Sequence, residues 1–356
     1  MNEFPLAAGR EVLLPVLEDP EPAKRLIAAK CIGLLAGYDA QWREAPYLIN
    51  EVECVLTSDL FNPATERKSR TFTLAGKIDV RATEKESGNR VIFDHKTTSD
   101  GIDDPDSDYW RQLVVEGQVD QYMLLEWLNG NKVDLAIWDC VRKPGISPKA
   151  LSKKETAALL SGTQETYFGY KLTAYDGQML ESLERETHGM YAGRLAHDCT
   201  VERSNWYFQR RSVPRIESEI LEYAADVWDH AQFIITMRQS KRYPRISKAC
   251  MLHHSACAFL GLCSKHDSLD SGNWTEKAWV HPELPVLNGR GTEILTNSRL
   301  QSLICPQKHY LQYELGVEKV TSEEREALWF GNLFHEALER YFLEIKRQQN
   351  GGKIIA

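Results

Sequence analysis

The chain has 356 residues, enough for one large or two modest domains, and its 42% hydrophobic and 26% charged content is that of a globular protein. No apolar run approaches membrane-spanning length, and the start, MNEFPLAAGREVLLPVLEDPEP, lacks the basic segment and cleavage site of a signal peptide. The expected location is therefore cytoplasmic, with no membrane partner. In that compartment eight cysteines are poor candidates for a disulfide framework, and clustered ones read as metal ligands. The net charge of −8 argues against coating nucleic acid but says little about a local groove.

Residues 20–45 carry Leu26, Ile27, Cys31, Leu34 and Leu35 at helical spacing, with Gly37 as the expected stop. From 50 to 140 the period changes. NEVECVLTSDL, RTFTLAGKIDVRAT, NRVIFDHKTTS and KVDLAIWDCVR are rich in Val, Ile, Phe and Thr, and predict four strands. Between the last two, DYWRQLVVEGQVDQYMLLEWLNG predicts one helix.

Residues 152–240 read as polar and helical, without a strand. Arg210, Arg211 and Arg215, and further on Arg238, Lys241, Arg242, Arg245 and Lys248, read by themselves as solvated helix surface. Residues 248–263 are irregular and dense in cysteine. Ser298-x-x-Gln301 and Thr321-x-x-Glu324 are capping-box signatures, the second opening a helix through EREALWFGNLFHEALERYFLEIKRQQN.

The strands carry the first chemical signal. Asp79 ends the apolar run of GKIDV, and Asp94 and Lys96 in VIFDHKTT lie two residues apart, on one face of a strand. Two carboxylates on neighbouring strands suit Mg2+ or Mn2+, and a lysine beside them can orient water or stabilise charge on phosphate. Asp94 with Lys96 alone would pass for a surface ion pair. The GKID strand at hairpin distance weighs against that, as does Gln118-x-x-x-Tyr122, one turn apart on the next helix.

GKIDV, IFDHKTTS and GQVDQY together resemble the PD-(D/E)XK nuclease superfamily, and within it the RecB-like nucleases. The family pattern adds a helix with Gly-x-x-x-His-x-x-x-Glu, matched here by Gly331, His335 and Glu339 in GNLFHEALERY. The resemblance implies an α/β fold, a small mixed central sheet flanked by helices (a restriction-endonuclease-like core), with a helical region and a cysteine-ligated cluster. It also implies Mg2+ or Mn2+ held by His335, Asp79, Asp94 and the backbone of His95. Lys96 would be catalytic, and Gln118 and Tyr122 would guide the strand. Glu53, in NEVECVL, falls at the edge of the same site. Without the resemblance, His335 reads as a core histidine among Leu333, Phe334, Leu338 and Phe342.

Cys250, Cys257 and Cys263 need a fourth ligand for a tetrahedral thiolate site, and Cys305 in LICPQKHY is the candidate. Cys31, Cys54, Cys140 and Cys199 read as small buried hydrophobes. Zinc is the generic occupant, with His253, His254 and His266 as substitute ligands. A subset of RecB-like nucleases, including AddB-type proteins and CRISPR-associated relatives, carries a 4Fe–4S cluster. Its lone cysteine sits in a Cys-Pro-x-x-aromatic context, which LICPQKHY resembles. That resemblance makes Cys305 the fourth cluster ligand and has Pro306 open the next helix.

In the family the Cys-Pro and His helices come first. Here they come last, so the chain looks circularly permuted, a rearrangement tolerated where termini meet at a surface. The implied division is a helical segment at 1–50, a nuclease core at 51–145 and a helical region at 146–249. The cysteine segment at 250–263, a linker at 264–297 and the completing helices at 298–356 follow. The final GGKIIA reads as a cut within a domain.

The expected activity is metal-dependent hydrolysis of DNA phosphodiesters, on single strands or end-containing duplex, of exonuclease type. The setting would be a bacterial or phage-infected cell, with a helicase or recombination partner left open. The alternative is a non-catalytic nucleic-acid-binding or scaffold protein with structural zinc or iron–sulfur. The joint presence of Asp79, Asp94 and Lys96 separates the two. A P-loop enzyme is excluded by the lack of any G-x-x-x-x-G-K-[ST].

Overall fold

The computed structural model describes residues 4–252, 255–277, 284, 292–320 and 326–351. The chain opens with α1 (Phe4–Leu13) and α2 (Pro22–Trp42). Then come the long strands β1 (Tyr47–Phe61) and β2 (Lys68–Glu84), β3 (Arg90–Thr98), α3 (Asp108–Val114), α4 (Gly117–Leu128) and β4 (Leu135–Arg142). The helical region holds α5 (Lys153–Leu160), the short strands β5 (Thr166–Tyr167) and β6 (Tyr170–Lys171), α6 (Ala174–Leu183), α7 (His188–His197) and α8 (Ser204–Tyr207). After β7 (Phe208–Val213) and α9 (Glu217–Ser240) come β8 (Met251–Leu252), β9 (Ser255–Ala256), α10 (Leu260–Ser264) and β10 (Trp274–Glu276). The last elements are β11 (Glu293–Leu295), α11 (Asn297–Gln301), α12 (Pro306–His309), β12 (Val317–Lys319) and α13 (Glu326–Gln349).

Among the described residues the main sheet is mixed, in the order β1-β2-β3-β4-β7, with β11 on the free edge of β2. β3 and β4 run parallel, and the other neighbours on that path are antiparallel. Helices cover both faces. Val91 and Phe93 of β3 point into a core with Leu34, Leu35, Phe334 and Leu338 of α2 and α13. Ile92 points the other way, into a core with Trp110, Tyr122 and Trp138. This strict alternation along β3 follows from the pleat. It puts His95 on the α2/α13 side and Asp94 and Lys96 on the α4 side.

The four expected strands are all present, but several other expectations need correction. The single helix expected over 108–130 is two helices, broken at Val115 and Glu116. Consecutive β-branched valines followed by Gly117 weaken the helix there. Gly37 does not stop α2, which continues to Trp42. A Cβ at Gly37 would collide with Cys199 and Phe208, so this glycine serves close packing.

The region read as wholly helical contributes β7, in which FQRRSV is too charged to read as a strand. Its Arg210 is not solvated helix surface but is largely covered and paired with the buried Asp139. Arg215 pairs with Asp120, and Arg238 with Glu293 and Glu314. The segment read as a linker carries β10, paired with β12, and β11, paired with β2. Thr296, rather than Ser298, caps α11, its side chain accepting from the Arg299 N–H. Thr321 and Glu324 lie outside the described residues. No helix among those described is long and apolar enough to cross a membrane.

Candidate functional site

β2 is paired with β11 over Phe72–Leu74 and with β3 over Val80–Thr83, but with neither between them. The sheet therefore forks at Gly76–Asp79, and β3 runs on from Asp94 to Thr98 bonded on one side only, to β4. A fork leaves backbone groups to satisfy. Asp79 Oδ2 accepts the His95 N–H at 2.7 Å, and Gln121 Nε2 donates to the carbonyls of Ala75 (2.8 Å) and Leu295 (3.3 Å). Gly76 lets α4 approach, since a Cβ there would lie 3.1 Å from Tyr122 and Leu125.

Asp94 and Lys96 face α4 together. Lys96 Nζ lies 2.7 Å from Asp94 Oδ2. The Gln118 amide joins the pair, its Nε2 donating to Asp94 Oδ1 (2.8 Å) and its Oε1 accepting from Lys96 (2.7 Å). The same Nε2 lies 2.7 Å from the Tyr122 hydroxyl. Every polar group of the Gln118 side chain is thus engaged within the protein. Burial raises the Asp94 carboxyl, with Lys96 pulling it down and Asp79 pushing it up. Burial works against the Lys96 charge, but Asp94 more than offsets it and the ammonium is held above its usual range. Lys96 is therefore a cation, suited to orienting and charge stabilisation rather than to accepting a proton.

The opposite wall is α13. A cleft of about 610 Å³ runs between it and the fork, lined on the strand side by Glu53, Lys77, Asp79, Lys96 and Thr97 and on the helix side by Gly331, His335 and Glu339. His335 is pushed down to about 4, by burial first and then by the charge of His95, with Asp94 opposing. It is neutral at pH 7, the form that can bind a metal. Glu53 sits at φ 54°, a left-handed conformation uncommon for a side-chain-bearing residue, and is paired with Lys77. Burial raises its carboxyl, and nearby Asp79 and Glu339 add to this while Lys77 opposes. Carboxylates, a backbone carbonyl and a neutral imidazole are donor types that suit a hard divalent cation, but Asp94 is not among the residues lining the cleft, its oxygens being engaged by Lys96 and Gln118. Among the described residues no group of three or more His, Cys, Asp or Glu side chains is gathered tightly enough to hold a metal ion.

Behind the fork, on the α2/α13 face, the His95 ring stacks on Phe342 at 5.2 Å and lies edge-on to His335 at 6.1 Å. Its Nδ1 is 3.2 Å from Asp139 Oδ2. Tyr38 donates to that same oxygen, as does Arg210 at 3.0 Å. Sequence reading missed Asp139, Tyr38 and Arg210. WDC gives no hint that its aspartate is buried, and the partners come from elements far apart in the chain. Lys77 was more accessible, being two residues before Asp79 on the same strand face.

Of the four cysteines expected to be small buried hydrophobes, three are buried. Cys31, Cys140 and Cys199 are buried, whereas Cys54 is only half-buried and its Sγ meets the Arg81 guanidinium at 3.6 Å. Cys250 immediately precedes β8, Cys257 follows β9, Cys263 lies in α10, and Cys305 occupies the N-cap position of α12, with Pro306 in its first turn. The Cys263 thiol is raised by burial first and then by Cys257, Cys305 and Cys250, but among the described residues these four are not gathered as a metal site. Cys305 Sγ accepts the Ile246 N–H at 3.5 Å, and Cys257 N–H donates to the Cys250 carbonyl at 2.8 Å. Four thiols with no acid among them are a soft donor set, suited to zinc or iron–sulfur. His266 is exposed, with its Nδ1 2.9 Å from Ser264 Oγ, and His253 and His254 lie outside the described residues.

A family model of the PD-(D/E)XK nuclease superfamily matches residues 295–354. That match suggests a nuclease. It covers the stretch from the end of β11 through α13, which holds both Cys305 and His335. No curated protein and no solved structure matches the chain.

Proposed function

We propose that the protein is a metal-dependent DNA nuclease of RecB-like type, acting as an exonuclease in recombination, repair or CRISPR adaptation. One observation carries this reading. Asp79, Asp94 and Lys96 meet at a fork in the sheet, across a cleft from His335, which lies in the segment matched to a nuclease family.

Asp79, Asp94, His335 and the His95 carbonyl would hold Mg2+ or Mn2+. The bound cation supplies Lewis acidity toward the phosphoryl oxygens and lowers the pKa of water. Lys96, kept charged by Asp94, orients the attacking water and stabilises charge on the phosphate. Gln118 and Tyr122 hold the Asp94–Lys96 pair in register beside the incoming strand.

Cys250, Cys257, Cys263 and Cys305 would hold a 4Fe–4S cluster, with zinc as the alternative occupant. Residues 1–50 and 298–356 would complete the core built on 51–145. A circular permutation accounts for that order. It is supported by a family match lying wholly after β1–β4 and β7, and by α13 packing on α1, α2, β1 and β3. A helicase or recombination partner belongs to the same reading.

The test is digestion of end-labelled linear DNA and covalently closed circular DNA with Mg2+, Mn2+ or EDTA. Metal-dependent loss of the linear form with the circle intact is the expected result. Cutting of both forms makes the protein an endonuclease. Cutting of neither leaves the non-catalytic reading.

A further inference from the structure

We propose that Lys143, with Thr97 and Leu328, forms a second subsite in the cleft that binds a phosphate and sugar of the nucleic-acid strand away from the reacting phosphate. This rests on reading the cleft as a nuclease site. Lys143 directly follows β4, and its ammonium enters the far end of the cleft from Glu53 and Glu339. There Nζ donates to the Ala327 carbonyl at 3.0 Å and stands 5.2 Å over the Phe330 ring. It makes no ion pair with a described residue. Glu326, which acts on it through space, is paired with Lys30 at 3.8 Å. Among the described residues, this half-buried cation touches only a carbonyl dipole and a ring face, with Glu326 acting at a distance, which leaves capacity for an anion.

Its surroundings fit a nucleotide. The Thr97 hydroxyl lines the same cleft, and Gly331 opposite leaves it room, since even a Cβ there would lie 3.4 Å from Thr97 Oγ1. Leu328 is 58% exposed, an apolar surface against which a sugar or base can pack. From Ala327 to His335 is eight residues of α13, about 12 Å at 1.5 Å per residue. That is roughly three to four steps of a stacked strand at 3.4 Å each. Lys143 therefore lies within the reach of one bound strand but apart from the Asp94–Lys96 pair. In a chain of net charge −8, with Glu53, Asp79, Glu336 and Glu339 lining the cleft beside Lys77 and Lys96, Lys143 adds a cation that favours entry of a polyanion.

The experiment measures binding of a fluorescent single-stranded oligonucleotide in EDTA against salt concentration, for wild type, Lys143→Ala and Lys143→Arg. Loss of one phosphate contact predicts a salt slope shallower by about 0.7 and affinity about tenfold weaker at low salt. Lys143→Arg should restore both. In cleavage assays Lys143→Ala should raise KM more than it lowers kcat. If Lys143→Ala fails to fold, Lys143→Gln removes the charge while keeping a donor for the Ala327 carbonyl, and should show the same slope change. An unchanged slope and affinity in the folded neutral variant overturns the subsite, and a shift in Tm alone makes Lys143 a structural contact. A wild type that cuts DNA while the slope is unchanged sinks only this inference. A wild type that neither binds nor cuts removes the nuclease reading and the subsite with it.

Discussion

His95 Nδ1 lies 3.2 Å from Asp139 Oδ2, directly behind the strand that carries Asp94 and Lys96. Asp139 is fully buried. Burial by itself would raise its carboxyl, but Arg210 and His95 beside it hold it well below the usual carboxylate range. Breaking a buried pair from one side leaves the other charges uncompensated. Asp139→Ala should therefore cost about 3–5 kcal/mol. Asp139→Asn, which keeps the shape, should also destabilise, because Arg210 loses its counter-charge. Urea melts of both variants check this, and an Asn variant within about 0.5 kcal/mol of wild type would show that the network carries little of the stability.

Lys96→Ala should lower cleavage at saturating Mn2+ by on the order of 100-fold or more, because it removes a charge aimed at the reacting phosphate. Oligonucleotide binding in EDTA should change much less. Single-turnover rates for the purified variant decide this, and near-normal rates exclude the assigned role.

Just after the Cys-Pro turn, Glu314 is held by Arg238 at 2.6 Å, Arg299 at 3.1 Å and His309 at 3.3 Å, and acid should loosen this cluster. Burial raises the Glu314 carboxyl, but His309, Arg238 and Arg299 outweigh it and hold it down to about 2. A folded pKa below the unfolded value of about 4.3 means that the stabilisation is fully present above that value. It is lost as the pH falls toward 2. The Tm gap between wild type and Glu314→Gln should therefore be widest above pH 5 and shrink between pH 4.5 and 2. A gap that is constant across this window, or that widens in acid, contradicts the assignment.

Protein purified without oxygen should be brown if the four thiols hold iron–sulfur, since Zn2+ has no visible absorption. Cys305→Ser should bleach it and lower thermal stability, because metal binding by clustered cysteines is coupled to folding. A colourless protein with stoichiometric zinc refutes the cluster. A colour that survives Cys305→Ser places the fourth ligand elsewhere.

Much of the site was legible in the chain because its signals are local. Asp94 and Lys96 share a strand face by the two-residue pleat, and Gln118 and Tyr122 share a helix face by the four-residue turn. The four strands between 47 and 142 could be read from their β-branched runs for the same reason. Strand β7 escaped because its arginines look like a solvated surface until Asp139 is found across the sheet.

Local patterning alone puts a carboxylate–lysine pair on one face of β3, a histidine on an apolar helix and a cysteine before a proline. The folded chain adds that β2 parts from β3 at Asp79, that α13 closes the cleft from the far end of the chain, and that Lys143 lines the space between them. The physical reason is range. Side-chain direction along one element follows from backbone geometry within a few residues. Asp139 instead depends on Arg210 and Tyr38, 71 and 101 positions away, and the fork on contacts such as Gln121 with Leu295, 174 positions apart, and the sequence places no mark on these partners.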